Sequence, residues 1–301
     1  MLNDAFLNRL DTLRLTLKNP ANGGAGGVRR SRSLGSSAEF SDFREYAPGD
    51  DIRRLDWNAY ARFDKLFMKL FMEEQEAVVT ILVDGSASMQ AKRSEAIQAA
   101  EALSYLALIG GDRLRIAWIR DGNPSVSSYM SGRRAYQQAS EFLNCSEMGG
   151  ATQCLEGIRN IDPFSKGMCF LISDCYFDEG IESTLDYLRY RRQETALVHV
   201  LSPFEMKPDL EGAVKLKDAE SAPDILAVSS EIIVSIINAF ADGELPPFVH
   251  PLRQYQAALD AFLKDIREQC CKRGVPYMLL WGERPFEESF IHALARGGML
   301  T

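Results

Sequence analysis

Apolar runs and amphipathic segments alternate along most of this chain. From residue 77 onwards, short apolar runs are typical of strands buried in a sheet, the run at residues 78–83 being rich in β-branched residues, and the segments between the runs fit helices. Strands are predicted at residues 78–83, 114–119, 168–173, 195–201 and 275–281. Helices are predicted at residues 94–109, 133–144, 155–161, 181–192, 249–273 and 286–296. This alternation predicts an α/β fold with a doubly wound, mostly parallel sheet.

The first 37 residues follow a different pattern. Apolar residues at helical spacing between Leu2 and Leu17 predict a short amphipathic helix packed on the body of the protein; a helix that contacts a partner or a membrane surface is the alternative. Residues 19–37 are rich in Gly and Ser, as in a flexible linker. The arginines of this linker (Arg29, Arg30 and Arg32) are either solvated or in contact with phosphate or an acidic partner.

Aromatic and charged residues are dense between residues 39 and 76. Because every acid there has an arginine or lysine within a few positions, we predict an irregular segment held by ion pairs, with a catalytic carboxylate cluster as the alternative. Residues 203–224 are polar and turn-rich and predict a hairpin at the sheet edge. We therefore divide the chain into residues 1–76, an extension packed on the main domain, and residues 77–301, the α/β domain.

Composition narrows the class of protein. Of the 301 residues, 46% are apolar and 25% are charged, as in an ordinary globular protein, and the net charge of −8 argues against a general nucleic-acid binder. No secretory signal and no apolar stretch of membrane-spanning length is visible, so the expected location is the cytoplasm. The 6 cysteines lack a repeated C-x-x-C spacing and are expected to be reduced thiols.

Oxygen-bearing side chains cluster where the first buried strand ends. Asp84 is followed by Ser86 and Ser88, a later loop offers Thr152, and the strand at residues 168–173 is followed by Asp174. Ligands of open α/β sheets bind outside the carboxyl ends of the strands. Carboxylate and hydroxyl oxygens suit Mg²⁺, Mn²⁺ or Ca²⁺ rather than zinc, so we predict a divalent-cation site. The alternative is ordinary turn chemistry, with Ser86 or Ser88 capping the next helix.

Known catalytic patterns are missing from the sequence. There is no G-x-x-x-x-G-K-[ST] loop and no G-x-S-x-G elbow, and the three histidines (His199, His250 and His292) are scattered. We expect His199, which lies in an apolar strand, to be a core residue. Metal-assisted hydrolysis is the enzymatic alternative, but the sequence offers no base for it. A structural module with a vestigial metal loop is the third possibility.

The metal-loop residues also resemble a known family. Asp84-Gly85-Ser86-Ala87-Ser88, Thr152 and Asp174 match the metal-ion-dependent adhesion site of von Willebrand factor A domains in chain order. The segment from Glu39 to Trp57 is similar to the hallmark of a prokaryotic domain-of-unknown-function family that is related to those domains and associated with MoxR-type AAA+ ATPases.

That resemblance covers roughly residues 28–296. It implies a von Willebrand factor A-like, Rossmann-like fold with five metal ligands, namely Asp84, Ser86, Ser88, Thr152 and Asp174. It implies a non-enzymatic interaction module that works with such an ATPase in the assembly or maturation of protein complexes. A client protein would present an Asp or Glu to the bound cation.

Overall fold

The apolar runs predicted as buried strands form the centre of a seven-stranded sheet in a computed structural model of the protein. The structure describes residues 2–13, 15, 40–48, 50, 52, 55–63, 65–71, 78–151, 153–162, 164–177, 180–208, 217–218, 227–228, 249–282 and 285–299.

The strands and helices follow the predicted alternation from residue 78 onwards. The strands are β1 (Phe40–Glu45), β2 (Phe67–Phe71), β3 (Val78–Asp84), β4 (Arg113–Arg120), β5 (Asn123–Val126), β6 (Met130–Ser131), β7 (Met168–Ser173), β8 (Glu194–Leu201), β9 (Lys217–Asp218), β10 (Ala227–Val228) and β11 (Tyr277–Trp281). The helices are α1 (Asp4–Leu10), α2 (Trp57–Phe63), α3 (Arg93–Ile109), α4 (Tyr136–Cys145), α5 (Cys154–Arg159), α6 (Ile181–Tyr190), α7 (Pro203–Met206), α8 (Val249–Arg273) and α9 (Phe286–Arg296), with 3₁₀ helices at Ala87–Lys92 and Arg133–Ala135.

The main sheet is doubly wound and mostly parallel, which confirms the predicted fold class. Its strand order is β11-β8-β7-β3-β4-β5, and β6 also pairs with β4. The pairs from β11 to β4 are parallel, and only β5 and β6 run antiparallel to their neighbour β4. The chain moves outward from β3 in one direction through β4 and returns to the other side of β3 at β7. The strand order therefore reverses between β3 and β7, and this switch point is where open α/β sheets bind ligands.

Alternate residues of β3 bury themselves in two separate apolar clusters. Val79, Ile81 and Val83 belong to a core shared with α1, α3, α4 and α9. Leu82 belongs to a second core shared with α5, α6 and α8. The period of two along the strand sends neighbouring side chains to opposite faces of the sheet. A strand that is apolar at both sets of positions is therefore covered by helices on both sides.

The N-terminal helix α1 belongs to the first of these cores. Phe6 is fully buried, and its ring contacts those of Phe286 and Phe290 at centroid separations of 6.0 and 6.3 Å. The Asn3 side chain caps α1 by accepting a hydrogen bond from the Phe6 amide, and its amide group donates to Glu287. Both ends of the chain therefore pack into one cluster on the same face of the sheet.

Residues 30–76 form a compact unit of their own, and residues 1–29 are grouped with residues 77–301. Within the smaller unit, β1 and β2 pair antiparallel, so this stretch contains regular strands where the sequence predicted an irregular segment. The predicted ion pairing is present between Arg44 and Asp50, at 2.6 Å. Asp50 also accepts a hydrogen bond from the amide of Ala47 and closes the turn between them. That this extension packs on the main domain stays a prediction.

Two further segments differ from the sequence predictions. The edge strand β5 and the two-residue strand β6 were not predicted, because they are short and lack an apolar run. The predicted hairpin over residues 203–224 begins instead as the short helix α7, which carries a complete capping box between Ser202 and Glu205. Part of that range lies outside the described residues. Its described strand β9 pairs parallel with β10 just beyond it, and a hairpin would need antiparallel pairing.

No helix in the described part of the chain combines the length and the apolar composition needed to cross a membrane.

We predict that His199 makes the stability of the fold depend on pH. His199 is fully buried on β8, as expected for a core residue, and its Nδ1 lies 2.9 Å from the Tyr277 hydroxyl. Burial is the main cause that lowers the pKa of His199 to about 4. The unfolded chain takes up this proton near pH 6.5, so stability is lost as the pH falls from about 6.5 towards 4.

Urea unfolding at pH 7 and pH 4.5 would measure this loss, with His199→Phe as the matched variant that cannot titrate. We expect the wild type to lose roughly 2–3 kcal/mol more than the variant between these pH values. Equal losses in the two proteins would show that His199 is not the titrating group.

Candidate metal centre

The predicted acidic residues meet at the switch point of the sheet. Asp84 is the last residue of β3, and Asp174 directly follows Ser173, the last residue of the neighbouring strand β7. The parallel register pairs Val83 with Ile172 and so places the carboxyl ends of the two strands side by side. Asp84 is only 2% exposed, and Ser173 and Asp174 are completely buried. The structure therefore brings together the two carboxylates that the sequence separates by 90 positions.

Asp84 is held rigidly by two hydrogen bonds. Its Oδ1 accepts from the amide of Ser86 at 3.0 Å, and its Oδ2 accepts from the Ser173 hydroxyl at 2.7 Å. Burial, followed by the nearby charge of Asp174, raises the pKa of the Asp84 carboxyl to about 6. Both causes act against the ionised form, because burial removes the water that would solvate the charge and Asp174 repels it. A cation beside Asp84 would reverse both effects.

The two serines of the loop lie together beside Asp84. Their Oγ atoms are 3.0 Å apart, and both residues are buried, Ser86 fully and Ser88 at 3% exposure. Ser86 occupies the N-cap position of the 3₁₀ helix Ala87–Lys92, but its side chain makes no capping hydrogen bond. The N-cap of α3 is Lys92, so neither serine caps that helix. Helix capping therefore does not explain why these hydroxyls are present.

The loop before Thr152 is hydrogen-bonded to this serine-bearing turn. The Gly149 amide donates to the Gly85 carbonyl at 2.8 Å, and the Ala87 amide donates to the Gly150 carbonyl at 3.0 Å. On its other side, the Ala151 amide donates to Asp121 Oδ1 at 2.7 Å. Thr152 itself lies outside the described residues, so its predicted role as a ligand stays a prediction.

Asp174 binds a lysine that the sequence analysis did not single out. Lys92 is the last residue of the 3₁₀ helix and is 1% exposed; its ammonium lies 2.7 Å from Asp174 Oδ2 and 2.7 Å from Glu205 Oε1. The neighbouring Cys175 adopts a left-handed backbone with φ 62°, and its amide donates to the Ser173 hydroxyl. The chain therefore turns back at once after Asp174, at some conformational cost.

Sequence signals for these extra residues are weak. The spacing of Ser202 and Glu205 is that of a capping box, which would have placed a helix start there but not a buried charge. Lys92 is one of several charged residues between the loop and the helix, and its neighbour Arg93 is partly exposed. Only the packed structure distinguishes the buried Lys92 from the partly exposed Arg93.

The residues present fit a hard divalent cation such as Mg²⁺. The described donors are carboxylate and hydroxyl oxygens, which Mg²⁺, Mn²⁺ and Ca²⁺ prefer. Asp84, Asp174 and Glu205 carry three negative charges against the one positive charge of Lys92, so the ionised cluster has a net charge of −2. One divalent cation would balance it. Among the described residues, no three His, Cys, Asp or Glu side chains converge as a metal site, so any cation here would depend on the serines as well.

Several known proteins are similar to this chain. The family described as "Protein of unknown function DUF58" matches residues 42–234. Uncharacterised proteins of Mycobacterium tuberculosis and Mycobacterium bovis are 31% identical to it over 231 residues, which is 70% of this chain and 70% of each relative.

Two solved structures also align with part of the chain. The pilus adhesin SpaC from Lactobacillus rhamnosus GG, in its open conformation, matches 43% of this chain at 11% identity with a TM-score of 0.35, and the match spans 24% of the adhesin's own length. The SpRpn10 VWA domain matches 42% of this chain and 76% of its own length at 12% identity, with a TM-score of 0.29.

We predict that Gly150→Ala weakens the packing of the loop at residues 149–151 against the serine-bearing turn. Gly150 has φ 81°, and a Cβ there would overlap the carboxylate of Asp121. Backbone strain and this overlap should together cost about 2–4 kcal/mol in the free energy of unfolding. Gly132→Ala is the matched control, because Gly132 has φ 77° with open space around it. Its backbone strain alone, at φ 77° and ψ 153°, should cost roughly 1–3 kcal/mol. Chemical denaturation of both variants checks this, and equal losses would show that the overlap with Asp121 is relieved without cost.

Proposed function

The chain belongs to the family described as "Protein of unknown function DUF58", and we propose that it is a non-enzymatic interaction module that holds one divalent cation and docks an acidic residue of a partner protein. The observation that carries this proposal is the burial of Asp84 and Asp174 side by side at the switch point of the sheet. Two adjacent carboxylates shielded from water are costly without a cation, and this cluster retains a net charge of −2 after Lys92 is counted.

The oxygen donors proposed for the cation are Asp84, Ser86, Ser88, Thr152 and Asp174, with one of the two carboxylates acting through a bound water. Mg²⁺ is the preferred ion, and Mn²⁺ or Ca²⁺ suits the same oxygen donors. When bound, the ion would supply an electrophilic position for an outside carboxylate. Asp84 is pre-oriented for this by the amide of Ser86 and the hydroxyl of Ser173.

The side chains around the site favour binding over catalysis. Asp174 is committed to Lys92, and Glu205 is committed to Lys92 and Ser202, so neither carboxylate is placed to accept a proton from an attacking water. His199 is buried in the core with Nδ1 beside the Tyr277 hydroxyl. Metal-dependent hydrolysis and a vestigial metal loop are the alternatives that the experiments below distinguish.

We propose a MoxR-type AAA+ ATPase as the partner, acting in the cytoplasm in the assembly or maturation of protein complexes. The support for this partner is the resemblance of the segment from Glu39 to Trp57 to the hallmark of the ATPase-associated family. Most of that segment falls within the matched residues 42–234. A client protein that presents an Asp or Glu would meet the cation itself.

We predict that the wild-type protein binds one Mg²⁺ or Mn²⁺ and that Asp84→Asn weakens this binding by on the order of 100-fold, because the variant removes a buried ligand charge. Isothermal titration calorimetry measures both. Asp186→Asn is the matched control, since it removes one carboxylate from the exposed face of α6. Absence of saturable heat in the wild type would favour the vestigial loop. Turnover of phosphoesters or peptides that Asp84→Asn abolishes would favour the hydrolase.

We also predict that the immobilised chain, with a purified MoxR-type ATPase from the same organism bound to it, retains an acidic client only when Mg²⁺ is present. EDTA and Asp84→Asn should each reduce client retention to background, because the client carboxylate needs the cation. Asp186→Asn should retain the client as the wild type does. Retention that is unchanged in EDTA would contradict docking through a metal ion.

A further inference from the structure

The ammonium group of Lys92 occupies a position between two buried carboxylates. Its Nζ lies 2.7 Å from Asp174 Oδ2 and 2.7 Å from Glu205 Oε1, and all three side chains are at most 1% exposed. Lys92 comes eight residues after Asp84 and is the last residue of the 3₁₀ helix that follows Ser86. The buried ammonium group of Lys92 therefore connects the serine-bearing turn to the residues that follow β7 and β8.

This lysine is held from several sides. Glu205 Oε2 accepts hydrogen bonds from the amide of Ser202 at 2.7 Å and from its hydroxyl at 2.9 Å. The Tyr255 hydroxyl of α8 donates to the backbone carbonyl of Glu205 at 2.6 Å, which fixes α7 in place. The Lys92 ammonium also lies 5.3 Å from the centre of the Tyr176 ring. Lys92 is therefore buried with two carboxylates and an aromatic ring around its ammonium group.

The consequence falls on Asp174. One of its oxygens is bound to Lys92, and the other accepts the Tyr176 amide at 3.3 Å. The hydrogen-bond partners of Asp84 in the described structure are neutral groups of Ser86 and Ser173. The two carboxylates at the switch point therefore have different partners, although the sequence presents both as strand-end acids.

We propose that Lys92 is a positioning residue that withholds Asp174 from direct coordination of the cation. A divalent ion at Asp84 then meets one directly bound carboxylate, and its remaining positive charge is available to an acidic group from outside. This inference rests on the proposed function, because it assigns the selectivity of the same site. It names Lys92 as the residue that keeps a coordination position of the cation open for the outside carboxylate.

The alternative is that the Lys92 ion pairs serve folding alone. Removing one partner of a buried ion pair strands the others, so Lys92→Met by itself could simply fail to fold. The double variant Lys92→Met with Glu205→Gln avoids this. It removes one positive and one negative charge, so the cluster keeps the wild-type net charge of −2 while Asp174 is released. Any change in metal binding then reflects the release of Asp174 and not the total charge.

Binding of Mn²⁺, followed by water-proton relaxation, tests the proposal on the full chain. In the double variant we expect Mn²⁺ to bind about tenfold more tightly and to retain fewer exchangeable waters, because Asp174 replaces a water ligand. Acetate serves as the carboxylate probe. Acetate should lower the relaxation of the Mn²⁺-loaded wild type saturably and should do so at least about tenfold less effectively in the double variant. Lys264→Met is the control, since Lys264 is an exposed lysine on α8.

Each result decides whether Lys92 positions Asp174 for metal binding or serves folding alone. Equal or weaker Mn²⁺ binding in a folded double variant, with unchanged water count and acetate response, overturns the positioning role but leaves the metal site intact. Absence of Mn²⁺ binding to the wild type overturns the proposed function itself, and the inference with it. Tighter binding with loss of the acetate response supports both.

Discussion

Negative charge buried at the carboxyl ends of β3 and β7 is the constraint on which the rest of this site depends. The parallel pairing of these strands fixes Asp84 and Asp174 beside one another, away from water. The fold offsets part of that cost through Lys92, through the Ser173 hydroxyl and through backbone amides that point at the carboxylates. The cluster still carries a net negative charge. A cation that neutralised this charge would link metal binding directly to the stability of the centre of the sheet.

The same constraint organises the surrounding elements. The serine-bearing turn is bonded to the loop at residues 149–151, and that loop is bonded in turn to Asp121 after β4. On the opposite side, Lys92 reaches α7, and α7 is bonded to α8 through Tyr255. Elements that follow four different strands of the sheet therefore meet at one place.

Much of this architecture could be predicted from the sequence, because its signals are local. Runs such as residues 78–83 and 168–172 are apolar at nearly every position, and their burial on both faces follows directly. Once the parallel sheet was predicted, Asp84 and Asp174 had to emerge at the same edge. The pairing of Lys92 with Glu205 could not be predicted in this way, since it joins residues 113 positions apart and depends on where α7 packs. The strands β1 and β2 were missed for another reason. Charged residues within them, such as Lys69, obscure the alternation that marks a strand.

The packing of α1 against α9 has a practical consequence for how this protein can be handled. Phe6 packs edge-on against both Phe286 and Phe290, so α1 and α9 lie in one layer on the same face of the sheet. Labels attached to exposed positions of α1 or α9 would both lie on that side, while the strand ends that carry Asp84 form a rim of the sheet. A surface-immobilised or fluorescently labelled version could thus be built through either helix, and the two versions should present that rim alike.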